Sequence, residues 1–162
     1  MNVMDSEYYK KWKPMFREEA QKISNIFADE MLSIHHIGST SVSGLSGQSI
    51  MDIMLVVKEI ALIDSYNEQM AGLEYECMGE FGIRGRRYYR KGKDLRTHRV
   101  HVFQEGNREN IDRHLAVRNY LRAHFERTGQ DENRKVSRLG MVAYASTKQA
   151  FLKELEREER YF

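Results

Sequence analysis

The apolar run from Ile50 to Val57 is the feature that most constrains the fold of this chain. Every residue in it is apolar except Asp52, which is typical of a strand buried on both faces of a sheet. Such a strand needs cover on both sides, so we expect an α/β (α+β) arrangement, a mixed sheet with helices packed on it. Removing a carboxylate from water inside this run is unfavourable unless a partner or a metal compensates it. Asp52 is therefore the first candidate for a functional role.

Two amphipathic patterns predict helices that pack on this sheet. The first begins at Pro14, since proline is tolerated in a first helical turn, and runs for about 17 residues to Met31. The second extends from Ile60 to Leu73, with Gly72 at the position of a C-cap. The last third of the chain is predicted to hold two or three helices, the first of them capped by Asn107.

Short apolar or alternating stretches predict the remaining strands. Ile34 to Ile37 forms a brief strand before the central one, and another strand-like piece covers Tyr75–Met78. Residues 83–90 and 97–104 flank a turn, and we expect them to pair as an antiparallel hairpin. Because neither a linker nor an internal repeat interrupts the sequence, residues 1–162 are predicted to form a single domain.

Composition narrows the class of protein. Apolar residues make up 41% and charged residues 31% of the chain, as in ordinary globular proteins. The net charge of +2 is too small to draw the chain to nucleic acid or to a membrane surface. Cys77 is the only cysteine, which excludes an internal disulfide, and no segment has the apolar length of a signal peptide or a membrane span. We therefore expect a cytoplasmic protein.

The segment between the first two strands contains a turn rich in glycine and hydroxyl groups. Gly38, Ser39, Thr40 and Ser41 follow the short strand directly. Backbone N–H groups and hydroxyls in such a turn can bind a phosphate, so these four residues are predicted to form a phosphate site near Asp52. The segment has neither of the glycine patterns of the P-loop and the dinucleotide-binding fold, which excludes both. The alternative is a turn that only reverses the chain.

A strongly basic stretch lies between positions 84 and 99, where eight cationic residues face a single acidic one. Guanidinium groups pair with phosphate in bidentate fashion, so Arg84, Arg86 and Arg99 are predicted to contact phosphate. Tyr88 and Tyr89 lie among the cations and could stack on a base. The alternative is a solvated edge hairpin whose charges prevent aggregation. Nucleic acid is the less favoured partner because a pI of about 8.6 is only mildly basic.

Histidines accompany the strands that should border the pocket. Asp52 with His36 and His101 could coordinate zinc or another transition metal through neutral imidazole. His98 and His101 are three residues apart on one strand and so lie on opposite faces, which argues against both being ligands. The alternative is that His101 donates a hydrogen bond to Asp52 and pairs the buried charge without a metal.

Motifs typical of one protein family occur in order along nearly the whole chain. They are Trp12-x-Pro14-x-Phe16-x-x-Glu19, His36 to Val42 with Gly44-Leu45, Ile50 to Ile53, Arg96 to Val102, His114 to Arg122, and Ala143-Tyr144 with Lys148 and Phe151. Together these motifs resemble the GrpB family, which is similar in fold to the nucleotidyltransferase superfamily. The resemblance implies a nucleotidyltransferase-like mixed β-sheet with helices packed on it.

The resemblance also implies a site, from which this chain departs. In that superfamily a Gly-Ser turn holds the nucleotide phosphates, and an Asp-x-Asp pair with a third carboxylate on a neighbouring strand holds Mg²⁺. Here Asp52 stands at the first position, Met54 at the second and His101 where the third is expected. A Lys-Pro pair and a proline that family members often show are replaced by Gln48-Ser49 and Ser43.

The residues and the resemblance together predict a protein that binds a nucleotide or another phosphate ligand at Gly38–Ser41 next to Asp52. Asp52 is the catalytic candidate for nucleotidyl transfer, with Mg²⁺ as the cofactor that this chemistry implies. The incomplete carboxylate set argues against the transfer. The alternatives are a catalytically inactive interaction or structural module, a homodimer being one form of it, and a transition-metal-binding protein.

Overall fold

Five strands and three α-helices make up most of the residues that the computed structural model describes, 8–42 and 50–123. The strands are β1 (Met31–Ile37), β2 (Met51–Val57), β3 (Tyr75–Cys77), β4 (Arg86–Lys91) and β5 (His98–Gln104). The helices are α1 (Lys13–Phe27), α2 (Asn67–Gly72) and α3, which is helical from 108 to 123. Segment 43–49 and the helices predicted beyond 123 lie outside the described residues.

The five strands form one mixed sheet in the order β1-β2-β5-β4-β3. β2 and β5 run parallel, and the other neighbouring pairs are antiparallel. All seven residues of β2 are buried, which confirms a central strand covered on both faces. The predicted hairpin is also confirmed, because β4 pairs antiparallel with β5. The α+β arrangement expected from the Ile50–Val57 run is therefore correct.

Side chains that alternate along β2 and β5 divide the core between the two faces of the sheet. One face packs against α1 in a core that includes Ile23, Phe27, Ile53, Leu55 and Val102. The other face packs against α3 through Ile37, Met54, Phe103, Ile111 and Leu115. Burial of each such side chain contributes about 2 kcal/mol relative to exposure. Asp52 lies on the α3 face, because it is two residues before Met54 on the same strand.

Two of the predicted helices are wrong in their extent. α1 ends at Phe27, and Met31 instead opens β1, because pairing of Met31 with Val57 requires an extended backbone there. Tertiary pairing thus outweighs the helical spacing of the apolar residues. The second predicted helix is divided into a 3₁₀ segment, Ile60–Tyr66, and the short α2. Gly72 is the last residue of α2 and not its cap, and the left-handed residue after the helix is Glu74, at φ 72°.

No helix within 8–42 and 50–123 is long and apolar enough to cross a membrane. Asn107 immediately precedes α3, as predicted for its N-cap, and its carbonyl accepts a hydrogen bond from the N–H of Ile111. α3 therefore begins where the sequence places it, and it brings its apolar stripe onto the face of the sheet that carries Asp52.

Candidate functional site

Asp52 and Arg99 are direct neighbours across the parallel strands β2 and β5. The Arg99 guanidinium donates from Nε to Oδ1 at 2.7 Å and from Nη2 to Oδ2 at 2.8 Å. A bidentate contact of this kind is among the stronger hydrogen-bonding arrangements in proteins. Asp52 is 2% exposed, so its buried charge is compensated by a cation of the chain itself.

His101 lies two residues beyond Arg99 on the same face and also donates to Asp52, with Nε2 3.1 Å from Oδ1. Its other ring nitrogen, Nδ1, is 3.2 Å from Nη1 of Arg86. Because a guanidinium can only donate, Nδ1 accepts this bond and the proton of the neutral ring is on Nε2. His101 is therefore held as the neutral tautomer that directs its N–H at Asp52. This contact is the one expected if the buried charge is paired without a metal.

Burial and hydrogen bonding act on the pKa of Asp52 in opposite directions. Loss of hydration raises this pKa, whereas the hydrogen bond from His101 and the charge and hydrogen bonds of Arg99 lower it. The two partners prevail, so the pKa of Asp52 lies well below its usual range. The carboxylate is consequently ionised throughout the physiological pH range.

Arg86 connects this network to the loop that precedes β4. Its side chain is buried, and Nε and Nη2 donate to the carbonyl oxygens of Glu80 at 3.2 Å and of Phe81 at 2.9 Å. The guanidinium carbon also lies 4.5 Å from the centroid of the Tyr88 ring, within the range of a cation–π contact. Arg86 thus holds His101 and the loop in one arrangement.

The turn predicted to bind phosphate lies directly against Asp52. Gly38 has a φ of 73°, and a Cβ at this position would lie 2.7 Å from Oδ2 of Asp52, so only glycine fits without a shift. Two arginines of α3 contact the backbone of this turn and of the end of β1. Arg122 donates to the carbonyl oxygen of Ser41 at 2.9 Å, and Arg118 donates to that of His36 at 3.4 Å.

The three hydroxyl groups of the turn differ in their surroundings. Ser41 donates from Oγ to the carbonyl oxygen of Gly38 at 2.6 Å, which closes the turn on itself. The buried Thr40 hydroxyl is 2.8 Å from Nε2 of His36. The Ser39 Oγ is also buried and has no hydrogen-bond partner among the described residues. Ser39 is therefore the residue of this turn whose hydroxyl keeps unused hydrogen-bonding capacity.

The residues around Asp52 do not fit a Mg²⁺ ion. Both oxygens of its carboxylate already accept hydrogen bonds, the second carboxylate position is the fully buried Met54, and His101 directs an N–H and not a lone pair at the site. Mg²⁺ needs near-octahedral oxygen coordination. In the described parts of the chain, no group of three or more His, Cys, Asp or Glu side chains is arranged to hold a metal ion.

His36, the third residue of the predicted transition-metal set, faces a different environment. Its ring stacks on Phe16 of α1, with centroids 5.0 Å apart and planes 11° from parallel. Burial, followed by the charge of Arg122, lowers the pKa of His36 to about 4, against a smaller opposing effect of Asp52. The imidazole is neutral at physiological pH, and its Nε2 is engaged with Thr40.

The predicted basic surface is divided between the two faces of the sheet. Besides Arg99 with Asp52, its paired members are Arg87 with Asp64 at 2.8 Å, Arg90 with Glu76 at 3.1 Å and Lys91 with Glu19 at 2.8 Å. Arg84 is exposed in the loop before β4 and not part of the strand. Of the three arginines assigned to phosphate, Arg86 and Arg99 converge on the Asp52 network, and Arg84 lies in the loop that Arg86 holds.

Sequence reasoning missed a buried polar cluster on the opposite face of the sheet. Glu19 of α1 is 5% exposed and accepts hydrogen bonds from Tyr75 at 3.0 Å and from Lys91 at 2.8 Å, with His98 3.8 Å away. The signal was present, because Glu19, Ile23 and Phe27 follow one another at four-residue steps and so share the buried stripe of α1.

The family model described as "GrpB protein" matches residues 3–158. The chain belongs to the GrpB family. The family inferred from the sequence motifs is thereby confirmed. The crystal structure of GrpB from Enterococcus faecalis is similar to this chain with a TM-score of 0.80 and 40% identity, covering 93% of each chain. This GrpB-family chain therefore shares its overall fold with a member of the family that has been solved experimentally.

Among curated relatives, this GrpB-family chain is similar to the UPF0157 protein YqkA of Bacillus subtilis, with 44% identity over 117 residues. The match covers 72% of this chain but 34% of YqkA, so the chain spans about a third of that relative. A more distant likeness is to Cid1, an RNA terminal uridylyl transferase, with a TM-score of 0.47 and 17% identity over 72% of this chain and 35% of that one. A likeness at that distance carries no argument about activity.

Proposed function

We propose that this protein binds a nucleotide or a related phosphate compound at the Asp52 site, without metal-dependent nucleotidyl transfer. The Asp52 site is defined as Gly38–Ser41 together with Asp52, Arg86, Arg99 and His101. We propose that the exposed Arg84, in the loop that Arg86 holds, also contacts a phosphate bound there. The observation that carries the proposal is the bidentate contact between Arg99 and Asp52, which fixes a guanidinium beside the glycine turn. Asp52 then acts by positioning Arg99.

The charge balance of the site favours an anionic ligand. Arg86 and Arg99 contribute two positive charges, Asp52 contributes one negative charge, and His101 is neutral. Guanidinium groups match the geometry of phosphate oxygens. Arg99 keeps 19% of its side chain exposed although its guanidinium is held by Asp52. The surplus positive charge gives a phosphate group a favourable position next to Ser39.

The same geometry argues against transfer chemistry. Nucleotidyl transfer of the two-metal type requires carboxylates that hold the metal ions against the phosphates. In the Asp52 site the one carboxylate already accepts three hydrogen bonds from Arg99 and His101, on both of its oxygens. What remains are groups that can position and neutralise a bound phosphate.

The test is calorimetric titration of the purified chain with inorganic tripolyphosphate and with ATP in EDTA. Arg84→Ala removes the exposed cation of the loop, and we expect it to weaken binding of both ligands about two- to fivefold, as the loss of one exposed ion pair does. Lys58→Ala is the matched control, because Lys58 is exposed at the opposite end of β2 from Asp52. If neither ligand binds, the proposal is overturned, and equal weakening of binding by the Arg84→Ala and Lys58→Ala variants would also overturn it.

A second candidate is a catalytically inactive interaction or structural module, in which the Asp52 network only stabilises the sheet. The engagement of both oxygens of the Asp52 carboxylate by side chains of the protein itself favours it. This candidate predicts no heat with any phosphate compound and, in its homodimeric form, a dimer in sedimentation equilibrium. Binding of ATP or tripolyphosphate that Arg84→Ala weakens selectively would exclude it.

A further inference from the structure

Phe81 is an exposed aromatic residue held next to the Asp52 site. The residue is 54% exposed, although its ring stacks on Tyr88 with centroids 5.4 Å apart and planes 23° from parallel. Tyr88 in turn lies 5.4 Å from the ring of His101, which donates to Asp52. A continuous series of rings therefore leads from the buried carboxylate to the open ring of Phe81.

The backbone holds Phe81 in an unfavourable conformation. Its φ is 46°, in the left-handed region that residues with a Cβ seldom occupy. The neighbouring hydrogen bonds enforce this geometry: Glu80 accepts from the N–H of Gly85 at 2.7 Å through its carboxylate and from the N–H of Ile83 at 3.2 Å through its carbonyl. Strain of this kind persists where the surrounding structure over-determines it, and it is concentrated at ligand sites.

Arg86 couples the position of Phe81 to the Asp52 site. One guanidinium donates to the carbonyl oxygen of Phe81 and to Nδ1 of His101, so the loop and the site share one anchor. A second arginine, Arg90, lies 5.5 Å from the Phe81 ring. A planar aromatic surface is thus fixed beside cationic groups, which is the pairing of features that binds a base next to its phosphates.

We infer that Phe81 is a stacking surface for the base of a nucleotide whose phosphates occupy the Asp52 site. The inference rests on the proposed function and narrows it, because it makes a nucleoside phosphate the ligand and not a phosphate compound of any kind. The exposed part of the ring takes the base, while Tyr88 supports the ring from the site side. Selectivity among bases is weak, since every base has a π-face.

The experiment compares ATP with inorganic tripolyphosphate, which carries three phosphates without the base. In the wild type, ATP binds more tightly than tripolyphosphate by roughly five- to a hundredfold, the range that one base–aromatic stack supplies. Phe81→Ala removes that advantage and leaves the affinity for tripolyphosphate unchanged, whereas Phe81→Tyr keeps it. Leu62→Ala is the control for loss of an exposed apolar side chain, because Leu62 is 43% exposed and belongs to the segment whose Ile63 packs on the other face.

The outcomes separate the inference from the proposed function. If the wild type binds tripolyphosphate and ATP with equal affinity, the stacking role of Phe81 is overturned and the proposed phosphate site is not. A Phe81→Ala variant that weakens both ligands by the same factor would also overturn it, because Phe81 would then act on the whole site and not on the base. If neither ligand binds the wild type, both proposals fail.

Discussion

Arg99 contacts both oxygens of Asp52 at 2.7 and 2.8 Å, between two parallel strands at the centre of the sheet. This relationship explains how a carboxylate can remain ionised inside the apolar run of β2. It also changes the role assigned to Asp52. In place of a free ligand for a metal, Asp52 is the counterion that holds a guanidinium and a neutral histidine beside the glycine turn.

Replacing Asp52 by asparagine is expected to destabilise the fold by about 3 kcal/mol, because Arg99 loses its counterion in a largely buried setting. Urea unfolding measures the loss. Asp64→Asn is the control, since Asp64 pairs with Arg87 at the surface and is 55% exposed, and it should change stability by less than about 1 kcal/mol. Equal effects of the two substitutions would show that the buried pair contributes no more to stability than the surface pair.

Gly38→Ala tests the close approach of the turn to Asp52. The new Cβ would lie 2.7 Å from Oδ2, at a φ of 73° that alanine disfavours, so we expect a loss of about 2 kcal/mol or more. Gly72→Ala is its counterpart, because nothing lies within 4 Å of that Cβ and its φ is not in the left-handed region. That variant should be unchanged or more stable by up to about 1 kcal/mol. Thermal unfolding of both variants decides the point, and a Gly38→Ala protein as stable as wild type would contradict it.

The sheet was predictable from sequence because burial on both faces leaves a continuous apolar run, as in Ile50–Val57. The contact between His101 and Asp52 was also within reach as one of two alternatives, because alternation places His101 on one face of its strand. The pairing of Arg99 with Asp52 was not, since it depends on the register of β2 against β5, strands that are adjacent in the sheet and far apart in sequence. Arg99 was accordingly assigned to phosphate alone.

The polar cluster around Glu19 shows a second limit. A charged residue in a helix is ordinarily assigned to the solvent face. The partners of Glu19, which are Tyr75, Lys91 and His98, come from strands that are distant in sequence. The four-residue spacing of Glu19, Ile23 and Phe27 was a signal that Glu19 is buried, and it went unused; the compensating cation Lys91 is visible only in the structure.

Glu19→Gln should therefore destabilise the protein by about 2 kcal/mol, because it removes the charge opposite Lys91, whose side chain is only 17% exposed. The adjacent Glu18→Gln is the matched control, since Glu18 is 73% exposed and pairs with Lys22 along the helix at 3.6 Å. Chemical denaturation should separate the two variants by more than about 1 kcal/mol. Indistinguishable midpoints would place Glu19 among ordinary surface residues.

Acid sensitivity is expected from His36. Burial and then Arg122 lower its pKa to about 4 in the folded chain, whereas in the unfolded chain it is about 6.5. Between these values the unfolded chain binds a proton that folded His36 does not. His36 therefore does not lower the free energy of unfolding above about pH 6.5, and it lowers this free energy by up to about 3 kcal/mol as the pH drops to about 4.

His36→Gln removes the titrating ring and can keep a hydrogen bond to Thr40, so its stability should decline less steeply between pH 6.5 and pH 4. Unfolding midpoints measured across that interval for both proteins give the two slopes. Parallel pH profiles would contradict the assignment of this acid sensitivity to His36.

The most direct test of the Asp52 site as a metal-independent phosphate site is calorimetric titration with ATP, first in EDTA and then with Mg²⁺ in excess. Binding in EDTA that Mg²⁺ does not strengthen is the result expected when guanidinium groups, and not a metal held by Asp52, receive the phosphates. No binding in EDTA, followed by binding once Mg²⁺ is added, would contradict it.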